Sequence, residues 1–246
     1  MTALHFNNTL KHTPLNDKTL LTPRSIVFFN AHHIALADYE LNKVLSPFEL
    51  NTIERRKSPS AKQEYLASRL LLKFLVKHAL PEYKQLKLNA ISSEFDDTSA
   101  KLQLHINNER IINSCISHSH AMVGAALNLQ QSEFGFDIEK ISTKRPFEKL
   151  AKHFYHLDEI NMICDAKNEA IKADRFFRIW TLKEALAKAT SRPVAKLLSP
   201  NVFTELALAK LNAKSMQFNG FDISAVHKKN TDWRCFSMSQ RQLTFE

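Results

Sequence analysis

The sequence predicts an α+β protein built from two similar halves, and three observations carry that expectation. Two runs have the apolar spacing of strong helices, Ala61 to Leu80 and Arg175 to Thr190. Each sits about two thirds of the way through its half and holds a basic residue in an Ala/Leu-rich stretch, Arg69 in one and Lys183 in the other, as a pseudo-duplicated α+β pair would. Between them, short apolar words alternate with polar stretches, the texture of strands joined by turns. With 246 residues, 44% apolar and 24% charged, the chain suits one or two domains with a sizeable core and does not suit disorder.

Taken in order, the first thirty residues, with Pro14 and Pro23, read as turns around one strand near Arg24 to Phe29. Ser46 and Pro47 open a helix, PFELNTIERRK, acidic first and basic last. Pro59 and Ser60 cap the first strong helix, with Leu66, Leu70 and Phe74 on one stripe and Leu71 and Leu75 beside it, and Pro81 stops it. The words LKLNAISSEF, LQLHI and RIINSCISHS read as strands, with a loop over Asp96 to Ala100. AMVGAALNL reads as a buried strand, Gln130 to Glu133 as a turn, and FGFDIEKI as the next strand. Pro146 to Phe176 is helical in texture but irregular, and the second strong helix follows. Pro193 and Pro200 break the chain, after which VFTELALAKL, MQFNGFDISAV and DWRCFSMS suggest short strands and turns.

The formal charge of +9 favours an anionic partner: nucleic acid, lipid, a phosphorylated metabolite or an acidic protein. Only three glycines are present, Gly124, Gly135 and Gly220, which excludes a Gly-rich phosphate loop and leaves phosphate binding to side chains, helix ends and a metal. Cys115, Cys164 and Cys235 are too far apart in sequence for a thiol metal cluster, so free, buried thiols are expected. Neither a leader-like N-terminus nor a membrane-spanning run is present, so a soluble cytoplasmic protein is expected.

Asp137 and Glu139 are two apart in an expected strand and therefore share a face. Two like charges held together suit a hard cation, although solvated charges on an edge strand would look the same. In IWTLKEALAK, Trp180, Glu184 and Lys188 fall on one helical stripe. An ordinary solvated Glu/Lys pair is one reading. The other returns Glu184 to the Asp137/Glu139 pair, giving three carboxylates for Mg²⁺ with lysines nearby, a receptor for a pyrophosphate. His118 and His120 have a spacing used for zinc but no third ligand spaced to help, and packing suffices to explain Trp180.

GFDIEKI and FFRIWTLKEALAKA together resemble the G-x-D-x-E and W-x-x-K-E-A-x-x-K signature of the 4'-phosphopantetheinyl transferases of the surfactin-synthetase (Sfp) type. ASRLLLKFLV resembles that family's Arg-bearing helix, and ISHSH its N-x-S-H-S element, so the likeness runs from Leu45 to Lys188. It implies two subdomains related by a pseudo-twofold, residues 1–110 with the Arg69 helix and 111–246 with a Mg²⁺ triad, and an active site at their interface. Asp137, Glu139 and Glu184 would ligate Mg²⁺. Arg69 and His118 would meet the 3'-phosphate end of coenzyme A, and Lys183 and Lys188 its pyrophosphate, with Arg110 supplying further charge.

The implied reaction is attack by a serine hydroxyl of an apo acyl or peptidyl carrier protein on the β-phosphorus of coenzyme A, with 3',5'-ADP leaving. Glu184, or Glu139 through water, would take the serine proton, and Lys188 would assist. The implied enzyme is a cytoplasmic monomer whose basic surplus serves an acidic carrier protein in fatty-acid or secondary-metabolite synthesis, without nucleic acid or membrane. Two departures stand out: the family's Gly-Lys-Pro word is replaced around Asn108, Glu109 and Arg110, and the glycine after the second lysine by TSRP, Thr190 to Pro193. A coenzyme A-binding or carrier-binding paralogue without activity, and a basic nucleic-acid-binding protein, are the competing readings.

Overall fold

The computed structural model describes residues 10–107, 109–130, 132–243 and 245. Along the chain the strands are β1 His12–Pro14, β2 Ser25–Asn30, β3 Ile91–Asp96, β4 Lys101–Ile106, β5 Arg110–Ser119, β6 Met122–Asn128, β7 Phe134–Lys140, β8 Leu211–Phe218, β9 Phe221–Lys228 and β10 Arg234–Ser237. The helices are α1 Leu41–Val44, α2 Pro47–Glu54, α3 Pro59–Ala79, α4 Phe147–Phe154, α5 Leu157–Cys164, α6 Glu169–Thr190, α7 Ala195–Leu198 and α8 Val202–Leu208. The mixed α+β expectation holds.

The chain divides into two compact units, one built mainly from Glu133–Thr231, the other from His12–Ser132 with the returning segment from Asp232. Residue 110, after which the sequence reading divides the chain, opens β5, which is paired with β4 and β6.

In the unit around His12–Ser132, seven strands form one sheet in the order β1-β10-β2-β6-β5-β4-β3. The long helix α3 covers it, with Leu66, Leu70, Leu71 and Leu75 fully buried against Val27, Phe29, Val123 and Ala125. Ser58 and Pro59 start α3 as an N-cap and first-turn proline, and its buried run is the stripe that the apolar spacing predicts.

In the unit around Glu133–Thr231, the sheet has three strands in the order β7-β9-β8. Helix α6 lies along β7 and β9. It begins at Glu169 under an Asn168 cap, six residues ahead of the expected start, because Asn168 Oδ1 accepts from the Ile171 amide at 2.9 Å. VFTELALAKL, expected to hold strand and turn, forms α8 over Val202–Leu208 because the Asn201 side chain caps the amides of Phe203 and Thr204. MQFNGFDISAV is a hairpin turning on Asn219 (φ 48°) and Gly220 (φ 76°). Of the three free thiols, Cys115 and Cys235 are buried and Cys164 is partly so. No helix among the described residues is long and apolar enough to cross a membrane.

The two units repeat one another in detail. Helices α5 and α6 start 110 residues after α2 and α3. Glu49 is the third residue of α2 in a capping box with Ser46, and Glu159 is the third residue of α5 in a capping box with His156. One oxygen of each carboxylate takes the cap amide and a buried lysine 24 residues further on, Lys73 at 2.6 Å and Lys183 at 2.8 Å. The other oxygen takes a later backbone amide, Ser93 or Val202. The sequence had paired Lys183 with Arg69; the structure pairs it with Lys73.

Candidate active site

On β7 the side chains of Asp137 and Glu139 share the face that Gly135 begins. A Cβ at Gly135 would collide with the carbonyl oxygen of Ala185 and lie 2.6 Å from the Ala189 nitrogen and 2.8 Å from Lys188 Cβ. Glycine therefore lets the α6 backbone settle directly on β7. That close approach sets Glu184 and Lys188 opposite the two strand carboxylates. Lys188 Nζ donates to Asp137 Oδ1 at 2.8 Å and to the Phe136 carbonyl at 3.2 Å.

Glu184 sits among like charges. Burial pushes its carboxyl above the ordinary range, Asp137 and Glu139 push the same way, and Lys188 opposes them. Three carboxylates thus gather with Lys188 among them. A hard divalent cation is what such an oxygen-only, negatively charged donor set favours, so the residues fit Mg²⁺ in type and in field. Among the described residues no three His, Cys, Asp or Glu are already gathered closely enough to enclose an ion.

Directly across from Glu139 in the β7–β9 register stands a fourth carboxylate, Asp222. Its charge is taken by Arg178, whose Nε lies 3.0 and 2.9 Å from the two oxygens, and by the Thr181 hydroxyl at 2.8 Å. This clamp, missed from the sequence, anchors α6 to β9; the one signal for it was a charged Arg178 inside RFFRIW.

Lys183 does not belong with this group. It is fully buried, pairs with Glu159, and donates toward the carbonyls of Leu197, Leu198 and Pro200 at 2.9, 2.8 and 2.6 Å. With its donors consumed, it cannot address a pyrophosphate. It holds the α6–α8 connection instead.

Three predicted residues lie in the other unit. Arg69 on α3 is buried, stacks on the Tyr65 ring at 4.0 Å, and donates to Ser68 Oγ at 3.0 Å. Arg56 stacks on the same ring at 4.5 Å. The Nε atoms of both arginines are buried without a hydrogen bond. Two guanidiniums on one phenol ring leave a cationic pair suited to an anion; Arg56 and Tyr65 were missed because nothing in the spacing of ERRK and QEYLASR links them. His118, at the end of β5, pairs with Glu64 at 3.0 Å. Arg110 is engaged by Glu82 and the Tyr83 hydroxyl, at 3.0 and 3.2 Å. Its neighbour Asn108 lies outside the described residues. Phe147 and Tyr155 are core; Phe154 stays exposed. Beside them a cleft of about 660 Å³ is lined by Arg145, Lys149, Lys152 and Lys172, with Glu148 and Glu169.

Residues 133–239 match the family model described as the 4'-phosphopantetheinyl transferase superfamily. The chain is 27% identical over 158 residues to the Synechocystis sp. protein slr0495, whose name assigns it provisionally to the 4'-phosphopantetheinyl transferases; the match covers 62% of this chain and 59% of that protein. It is 37% identical over 82 residues to the 4'-phosphopantetheinyl transferase HetI of Nostoc sp., covering 33% of this chain and 34% of HetI. The chain thus spans less than two thirds of the length of each relative.

Proposed function

Taking residues 133–239 as a domain of the 4'-phosphopantetheinyl transferase superfamily, we propose that this protein moves the 4'-phosphopantetheine group from coenzyme A to a serine of an apo carrier protein, in the manner of the Sfp-type members. The observation that carries this reading is the α6–β7 cluster within the matched segment: Asp137, Glu139 and Glu184 facing one another, with Lys188 already on Asp137.

In this reading Asp137, Glu139 and Glu184 hold Mg²⁺, which supplies charge neutralisation to the pyrophosphate. The serine Oγ forms a bond to the β-phosphorus, the bond from that phosphorus to the bridging oxygen breaks, and 3',5'-ADP leaves. Glu184, or Glu139 through water, accepts the serine proton. Lys188 offsets charge growing on the transferred phosphoryl. Arg69, joined by Arg56, and His118 receive the 3'-phosphate; the unsatisfied Nε atoms of the arginine pair support this. An acidic carrier helix fits the basic cleft of Arg145, Lys149 and Lys152.

The test is intact mass of apo carrier proteins after incubation with coenzyme A and Mg²⁺. A gain of one phosphopantetheine on the serine is expected, with Asp137→Ala lowering kcat/KM by at least about 100-fold. No gain on any carrier, together with tight and salt-sensitive DNA binding, would sink the proposal.

A further inference from the structure

The word GFDI occurs twice in the chain, at 135–138 and at 220–223, and its two aspartates are held differently. Asp137 stands on β7 in the acidic cluster. Asp222 stands on β9, directly opposite Glu139 in the antiparallel register, while Ser224 is opposite Asp137. Directly opposed residues of paired strands send their side chains to the same face. That face is the one α6 covers, because Gly135 meets the Ala185 carbonyl and both Asp222 and Ser224 bond to Thr181. The carboxylates of Asp137, Glu139, Glu184 and Asp222 therefore all lie where α6 meets this sheet.

Asp222 is the one locked away. It is fully buried, as is Thr181, and Arg178 is only 5% exposed. Arg178 Nε lies 3.0 and 2.9 Å from the two oxygens, Nη2 lies 2.9 Å from Oδ2, and the Thr181 hydroxyl donates to Oδ1 at 2.8 Å. The network continues from Thr181 to Ser224 and from Ser224 to Ser215, each at 2.8 Å. By contrast, Lys188 meets Asp137 at the single oxygen Oδ1 and keeps 30% of its side chain exposed. A charge as deep as that of Asp222, and as near to Glu139, acts on the cluster with little screening. Oxygen sites hold divalent ions more tightly as their carboxylates increase in number. A bare fourth carboxylate would therefore tighten the ion and repel a polyanionic substrate.

We propose that Arg178 sets the charge of the metal site: by neutralising Asp222 it keeps the cluster at three effective carboxylates, so that a divalent ion can be shared with an anionic pyrophosphate. The proposal rests on the Mg²⁺ reading of Asp137, Glu139 and Glu184 given above. Arg178 acts through Asp222 and is a positioning residue.

The experiment measures Mn²⁺ binding to the full chain without substrate, from the electron paramagnetic resonance signal of the free ion. Wild type is expected to bind the ion and Asp137→Asn to lose it. Arg178→Gln keeps a hydrogen-bond donor for Asp222 but not the charge, and should tighten Mn²⁺ about tenfold. Asp222→Asn leaves the guanidinium uncompensated and should weaken Mn²⁺ about tenfold. Opposite signs are the signature of charge, and the double variant should return to within about twofold of wild type. A clamp that only anchors α6 to β9 would weaken binding in both single variants. If wild type binds no ion, or Asp137→Asn binds as well as wild type, the metal reading fails and the role of Arg178 with it. If that reading stands, two results overturn the role of Arg178 alone: single variants that shift binding in the same direction or not at all, or a double variant that does not recover. Should Arg178→Gln fail to fold, Asp222→Asn and the double variant decide, since weakening followed by recovery is still required.

Discussion

Ser191 closes α6 in the left-handed conformation, with φ 55°, and its amide bonds back to the Ala187 carbonyl. This is the place where the resembled family carries a glycine. A side chain there costs about 1 kcal/mol that glycine avoids, so Ser191→Gly should stabilise the protein by roughly 0.5–1 kcal/mol, read as a higher urea midpoint with an unchanged m-value. Glu184 makes the opposite kind of demand. Its raised carboxyl means that the folded state holds a proton that the unfolded chain has released, so stability falls as pH rises above the ordinary value of 4.5. Glu184→Gln removes that penalty. Without Mg²⁺ the variant should melt above wild type at neutral pH, by on the order of 2 °C, with the gap closing in mild acid; a gap that widens in acid would contradict the assignment.

At the level of elements, Glu159 and Lys183 tie α5 to α6 and to the chain leading into α8. Lys183→Met leaves a buried carboxylate without its cation and should cost about 3–5 kcal/mol, while adding Glu159→Leu should recover most of the loss. A Lys183→Met protein of normal stability with a raised KM for coenzyme A would return the lysine to the pyrophosphate. The contrast with Lys188 shows what the sequence could convey. Helical spacing placed Glu184 and Lys188 on one stripe, and that stripe meets β7. The same spacing could not say that Lys183, one residue away, points into the core, because a buried lysine is recognisable only through a partner, and Glu159 lay in a stretch of merely helical texture. The α6 start and α8 were misjudged for a related reason: Asn168 and Asn201 are caps whose effect depends on local geometry that composition does not display.

Over the whole molecule, the basic surplus of +9 is spread through the chain, and the cleft of Arg145, Lys149 and Lys152 is one place where it gathers. Glu substitution at both Lys149 and Lys152 should raise KM for an acidic carrier protein about tenfold and leave 3',5'-ADP binding unaltered; equal losses for both ligands would point to a folding defect instead. The duplicated plan was visible in outline, as two helices similarly placed, but its true register was not. It rests on Glu49–Lys73 and Glu159–Lys183, and that register sets Val27, Phe29 and Phe74 against Asp137, Glu139 and Glu184. Only one copy of the plan therefore carries the acidic chemistry, while its twin fills the same places with core.

Strand β10 comes from the end of the described chain yet lies parallel between β1 and β2 in the seven-stranded sheet. Synthesis runs from the N-terminus, so the unit begun first must wait for Arg234–Ser237 before its sheet closes, while the intervening Glu133–Thr231 is continuous and able to complete itself beforehand. Until then the flank of β2 stays open, an unpaired edge of the kind that recruits neighbouring chains. The last strand among the described residues thus serves as the closing stitch of this unit, and the interval before it arrives leaves a nascent chain open to misassembly.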